Sequence, residues 1–143
     1  MPESLELPAA GNLLAFGRRL LAQQPFSVLP GTRLQQLEPG RAGLALSMHD
    51  RLRQQHGFAH GGVVSYLADN ALTYAGGSVL GNVVTSEYKI NYLRPATGQR
   101  LLARATVVSA GRRQAVCECR VVALDGDSEK LVAVAQGTIA KMD

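Results

Sequence analysis

Tryptophan is absent from the 143 residues, and aromatic side chains make up only 5% of them. That leaves no evident surface on which nucleobases could stack. Cysteine is almost as scarce, with Cys117 and Cys119 alone, which excludes a disulfide framework. With no second Cys pair, a zinc site built on thiolates is excluded as well. Charge of one sign is not abundant: 15 Lys and Arg against 11 Asp and Glu give +4, modest for a nucleic-acid binder. The only basic pairs, Arg18 with Arg19 and Arg112 with Arg113, are not interleaved with aromatics. No apolar run approaches the ~18 residues of a membrane-spanning helix, and the start, Met1 to Glu6, is acidic where a signal peptide would be basic. The expectation is a cytoplasmic protein that engages neither nucleic acid nor membrane.

What is present is an ordinary globular composition, 46% hydrophobic and 18% charged. The length predicts one domain over residues 1–143. Residues 1–8 are expected to be loose. Residues 9–24 carry Leu13, Leu14, Gly17, Leu20 and Leu21 at helical spacing, an amphipathic N-terminal helix that Pro25 ends. Thr32 to Met48 alternates apolar and small residues on either side of Glu38, Pro39 and Gly40, which predicts a β-hairpin. His49 to Ala59 is polar and reads as a loop.

Gly61 to Ala75 holds Val64, Leu67, Ala68, Ala71, Leu72 and Ala75 at the spacing of a buried stripe, with Gly76 and Gly77 expected to stop the helix. Four strand-like runs follow, Val83 to Leu93, Arg100 to Ala110, Gln114 to Leu124 and Leu131 to Ala140, with connections short enough for an antiparallel meander. The run around Cys117 and Cys119 sets Ala115, Cys117, Cys119, Val121 and Ala123 against Glu118 and Arg120, so both thiols should be buried, reduced and used as small apolar groups. The fold class is α+β: a curved antiparallel sheet of five or six strands wrapped around one central helix, with an extra N-terminal helix.

The central helix is not wholly apolar. Ser65, Asp69 and Thr73 recur every four residues, and no Lys or Arg lies between Gly61 and Val84 to pair with Asp69 locally. Burying an unpaired carboxylate is costly. The stripe is therefore either a solvated face, or a carboxylate meeting an Arg from another strand, or chemistry. At the helix start, His60, Gly61 and Gly62 place two residues without side chains where unsatisfied N–H groups project. Such a start serves close packing, or it stabilises negative charge developing on a carbonyl oxygen. The phosphate-binding patterns GxGxxG and GxxxxGK are absent. His49 and His56 define no metal site by themselves.

Gln54 to Ala75, QQHGFAHGGVVSYLADNALTYA, resembles the hallmark segment of hotdog-fold acyl-CoA thioesterases of the phenylacetate-degradation and 4-hydroxybenzoyl-CoA type, and Thr85 to Ala96, TSEYKINYLRPA, is similar to the strand and turn that follow it in that family. The resemblance implies hydrolysis of an acyl-CoA to a free acid and CoA without metal or other cofactor. Asp69 would be nucleophile or general base, and the Gly61 N–H an oxyanion donor. His60 would be a helper or a structural histidine, and Gln54 an amide that donates to the same carbonyl or holds water. Thr73 and Thr85 match two positions where a hydroxyl can orient water; Thr73, sharing Asp69's helical face, is the better placed, though an ordinary backbone hydrogen bond suits either. Gly62, Thr85 and Arg94 would contact substrate.

For the CoA phosphates, Lys89, Arg94, Arg100, Arg104, Arg112 and Arg113 are candidates, with exposed strand-edge charge as the plainer explanation for each. The resemblance further implies a homodimer or dimer of dimers, with Gly61 and Gln54 of one chain facing Asp69 and Thr73 of the other. The competing functions are an enoyl-CoA hydratase or dehydratase on the same fold, and a non-catalytic acyl-CoA-binding module. The hydratase patterns, a His with a Pro-Gly helix entry or an Asp and His five apart, do not occur here, and no second regulatory domain is seen.

Overall fold

A computed structural model of the chain describes residues 6–142. Of the segment expected to be loose, residues 1–5 lie outside the described residues. The N-terminal amphipathic run forms a 3-10 turn, Ala10–Asn12, leading into α1, Leu13–Ala22, which buries Leu13, Gly17 and Leu21. Pro25 does follow its end, but as the first residue of a one-turn helix, α2, Pro25–Val28, a position where its missing N–H costs nothing. The hairpin forms as β1, Arg33–Glu38, and β2, Arg41–Ser47. The polar segment after it is a loop containing a 3-10 turn, Asp50–Leu52, and an isolated bridge between Arg53 and Ala59.

The central helix, α3, runs from Gly61 to Leu80 and is not stopped by Gly76 and Gly77. At Gly76 the sheet comes too close for a side chain: a Cβ there would sit 2.7 Å from Cβ and Cγ2 of Ile139. Termination falls instead to Gly81, whose φ of 92° suits glycine and whose N–H bonds the Gly77 carbonyl. None of the helices among the described residues is long and apolar enough to cross a membrane.

The remaining strands are β3, Val83–Tyr92, β4, Arg100–Ala110, β5, Gln114–Asp125, and β6, Ser128–Lys141. All pairings are antiparallel, in the order β1-β2-β4-β5-β6-β3. The expected four-strand meander is therefore correct for β4, β5 and β6 only. β3 lies beyond β6, at the sheet edge, and the segment around Pro95 crosses the end of the sheet instead of closing a hairpin. There Leu93 N–H bonds Val132 O and Ala59 N–H bonds Ala96 O. Burial explains the exchange: β3 has no fully buried residue, whereas β4 buries Leu101, Leu102, Ala103 and Ala105. A half-polar strand belongs at an edge.

The six-strand sheet curves around α3, which packs against β2, β3, β4, β5 and β6. Register shifts in four of the five ladders mark the bulges that bend such strands. The core joins Leu67, Ala68, Ala71, Leu72 and Ala75 of α3 to Leu44, Leu46, Leu101, Ala103, Cys117, Val121 and Ile139 of the sheet. Cys117 and Cys119 are free and buried, and all five residues of the expected inner face of β5 are buried with them. Burial pushes the two thiols up, to about 11 and about 12, so at neutral pH they act as small apolar groups.

Candidate active site

The polar stripe of α3 meets β3. Thr85 donates to Asp69 Oδ1 at 2.6 Å, and the Thr73 and Thr85 hydroxyls are 3.0 Å apart. One turn earlier, Ser65 shares a hydrogen bond with the Tyr88 phenol. Thr85 and Tyr88 are three apart in a strand, so strict alternation would put them on opposite faces. The ladder between β3 and β6 slips at Ser86, between Thr85 and Glu87, and the half-buried positions change from Val83 and Thr85 to Tyr88 and Ile90. The bulge turns both hydroxyls toward α3. It also brings the Glu87 carbonyl and the Tyr88 Cβ within 2.5 Å of where a Cβ on Gly137 would lie, so β6 has room for the bulge only with glycine there.

The two threonines thus reverse the order expected from helical spacing. Thr73 turns its hydroxyl back to the Asp69 carbonyl at 2.8 Å, the i−4 bond common for a threonine inside a helix, while Thr85 reaches the carboxylate itself. Asp69 is half-buried and forms no ion pair among the described residues. Its Oδ2 makes no hydrogen bond there either, and no buried side-chain oxygen is left unpartnered, so Oδ2 is not wholly enclosed.

The second group gathers at the start of α3. His60 is the N-cap and its Nδ1 accepts the Gly62 N–H at 2.8 Å, satisfying one orphan donor of the first turn. That occupies the Gly62 N–H and leaves the Gly61 N–H without a partner among the described residues. The Gln54 Oε1 accepts the His56 N–H, which leaves its amide nitrogen as a donor without a partner among the described residues. His56 therefore contributes its backbone; among the described residues no group of three or more His, Cys, Asp or Glu that could hold a metal ion is assembled.

Gln54, Gly61 and Arg94 line one cleft of about 430 Å³ together with Tyr92, Leu93 and Pro95. The Tyr92 phenol donates to the Gly61 carbonyl at 3.1 Å. Of the other candidate phosphate ligands, Lys89 and Arg104 line a different surface, with Glu118 and Arg120, and Arg104 is paired with Glu129 at 3.0 Å.

The predicted residues therefore fall into two groups, Asp69 with Thr73 and Thr85, and Gln54, His60, Gly61, Gly62 and Arg94. Eight residues of helix separate Gly61 from Asp69, about 12 Å at 1.5 Å per residue. Not foreseen were Tyr88, Tyr92 and the orienting role of the His56 N–H. The even spacing of Tyr88 and Tyr92 was a readable signal that they share a face.

Residues 56–130, more than half of the chain, match the family model of the thioesterase superfamily. A Saccharolobus solfataricus protein named as an esterase is 34% identical over 121 residues, covering 83% of this chain and 79% of that one. The crystal structure of a thioesterase family protein from Silicibacter pomeroyi superposes with a TM-score of 0.83 at 37% identity, over 86% of this chain and 93% of the other. A mutant of the phenylacetic acid degradation protein PaaI from Thermus thermophilus gives 0.75 at 33% identity, over 83% and 100%. With a six-stranded sheet wrapped on one long helix and these likenesses, the chain belongs to the thioesterase superfamily of hotdog-fold proteins and is a thioester hydrolase.

Proposed function

We propose that the protein hydrolyses an acyl-CoA thioester to the free acid and CoA. The observation that carries this reading is the Thr85-held carboxylate of Asp69 with its second oxygen open, on the same helix as an unpartnered Gly61 N–H. Asp69 either attacks the thioester carbonyl, breaking the C–S bond to expel CoA thiolate and leave a mixed anhydride that water then hydrolyses, or it takes a proton from water as that water attacks. In the second case the proton passes to the CoA thiolate as the C–S bond breaks. The Gly61 N–H and the Gln54 amide receive the charge that develops on the carbonyl oxygen. Arg94 stands beside them for a phosphate of CoA. His60 fixes the first turn so that the Gly61 N–H keeps its direction, and Gly62 supplies the N–H that His60 holds.

About 12 Å of helix between donor and carboxylate is too far for one carbonyl to touch both. The reading therefore takes Gly61 and Gln54 from one chain and Asp69, Thr73 and Thr85 from another, in a homodimer or a dimer of dimers. What supports a second copy is the edge of β3, which pairs with β6 on one side and has no strand on the other among the described residues. Val84, Tyr92 and Leu93 are exposed there, at 47%, 54% and 50%, and an uncovered edge of this kind is a template for pairing.

The test is thiol release from a panel of acyl-CoAs by wild type, Asp69→Asn, Gln54→Ala and a co-refolded mixture of the two variants. Each variant alone should lose on the order of 10²-fold or more in rate. In the mixture half the dimers pair unlike chains and keep one intact site, so about a quarter of wild-type activity should return. Wild-type turnover by Asp69→Asn would overturn the reading. No recovery in the mixture would overturn the shared site.

A further inference from the structure

A second cleft begins one helical turn beyond Asp69. It lies between α1, α3 and the start of β3 and is lined by Phe16 and Leu20 of α1, Leu37 of β1, Thr73 and Gly77 of α3, and Val83 of β3, with a volume of about 330 Å³. Polar side chains, Gln23, Gln24 and Asn82, also border it. We infer that this cleft takes the acyl group of the substrate, and that it selects a medium-length aliphatic chain. The inference rests on the thioesterase reading of the Asp69 site and adds the substrate class to it.

Three observations carry it. Proximity comes first: Thr73 lines the cleft, and its hydroxyl is 3.0 Å from that of Thr85, which in turn holds Asp69. A chain leaving a carbonyl at Asp69 passes directly along this wall. Length is the second. Gly77 lies eight residues past Asp69, about 12 Å along the helix, and an extended chain advances roughly 1.2 Å per bond, a third of the span of three backbone bonds. About ten bonds fill that distance, an upper limit that an octanoyl chain, with seven carbon–carbon bonds, stays within and a palmitoyl chain, with fifteen, exceeds. Volume is the third, since 330 Å³ is near the lower limit of pockets that accept small ligands, roughly 300–1,000 Å³. A long fatty chain would protrude into water.

Gly77 provides the means of testing this. A Cβ there would have Val83 Cγ2 at 3.4 Å as its nearest neighbour, so alanine is accommodated, is favoured in a helix over glycine, and places a methyl group on the cleft wall. Leu20→Trp narrows the same space from α1. kcat/KM is measured with acetyl-, hexanoyl-, octanoyl- and palmitoyl-CoA. Wild type should be fastest with octanoyl-CoA, and at least tenfold slower with palmitoyl-CoA. In both variants the octanoyl-to-acetyl ratio should fall about tenfold, the loss expected when roughly two methylenes leave apolar contact. An unchanged ratio in both would overturn the assignment while leaving the hydrolase reading intact. A turnover-independent arm compares octanoyl-CoA with CoA by calorimetry in Asp69→Asn, alone and combined with Gly77→Ala. Tighter octanoyl-CoA binding that Gly77→Ala abolishes supports the cleft even if no acyl-CoA is hydrolysed, in which case the proposed activity alone fails. Equal affinities for octanoyl-CoA and CoA would overturn the cleft.

Discussion

The Thr85 hydroxyl reaches the Asp69 carboxylate, 2.6 Å away, from a strand that shifts its alternation by one residue just after it. That bond holds one carboxylate oxygen and leaves the other for a reactant, which distinguishes Thr85 from Thr73, whose hydroxyl donates to the Asp69 main chain. A hydrogen bond to a charged group contributes about 1.5–3 kcal/mol. Thr85→Ala should therefore lower kcat for the best acyl-CoA by roughly tenfold to a hundredfold. Thr85→Ser should restore most of it, and Thr73→Ala should change kcat by less than Thr85→Ala. Thiol-release kinetics on the three variants check the order, and a larger defect from Thr73→Ala would reverse it.

The two adjacent glycines of α3 should respond oppositely to alanine. At Gly76 the new Cβ would lie 2.7 Å from the Cβ of Ile139, an atom that every residue except glycine possesses, so trimming Ile139 gives no relief. Overpacking of this kind costs about 1–3 kcal/mol, which outweighs the gain of about 1 kcal/mol from helix propensity. At Gly77 the nearest contact is ordinary and the propensity gain remains. Urea denaturation should show Gly76→Ala with a lower midpoint than wild type and Gly77→Ala with an equal or higher one.

This pair also illustrates how much the amino-acid pattern reveals. The apolar spacing of Val64, Leu67, Ala68, Ala71 and Leu72 identified the helix and its buried face, because burial of one stripe dictates a 3.6-residue period. Its end was not legible, since a glycine required for close approach to Ile139 is indistinguishable in sequence from one that ends a helix. For the same reason the edge position of β3 was missed: strand order depends on which partners bury Leu101, Ala103 and Val121, not on the length of the Pro95 turn. Within the site, Asp69, Gly61 and Gln54 stood out by residue type and by a family resemblance. The placing of Tyr88 on the same face as Thr85 did not, because it depends on a bulge that no local pattern around Ser86 announces.

His60 should behave as a cap first. Its Nδ1 accepts the Gly62 N–H at 2.8 Å, and loss of a helix N-cap costs about 0.5–2 kcal/mol. His60→Ala should lose that much stability, whereas His60→Asn, whose side-chain oxygen can accept the same N–H, should retain it. If His60 acts only through the cap, kcat should follow stability, falling in the alanine variant and returning in the asparagine variant. Urea midpoints and thiol-release rates measured side by side on both variants decide this. A stable His60→Asn protein without activity would assign the ring a direct part in the reaction.

The last prediction concerns alkaline pH. Burial raises Cys117 from 9.0 to about 11 and Cys119 from 9.0 to about 12. Tyr74, whose phenol is buried and donates to the Gly17 carbonyl at 2.9 Å, is raised for the same reason first and by the neighbouring Tyr66 second. In each case the folded state keeps its proton at a pH where the unfolded chain has lost it. The unfolded state then binds fewer protons, so stability falls as pH rises. For the two thiols the decline starts near the unfolded value of 9.0 and continues toward about 11 and about 12. Urea midpoints followed from pH 7 to 11 should be flat at first and then drop. Cys117→Ala and Cys119→Ala, which remove the titrating group while keeping a small apolar side chain, should each make the drop shallower even though their midpoints at pH 7 are lower. A native thiol that reacts with a disulfide reagent at neutral pH faster than the chain unfolds would contradict the burial on which this rests.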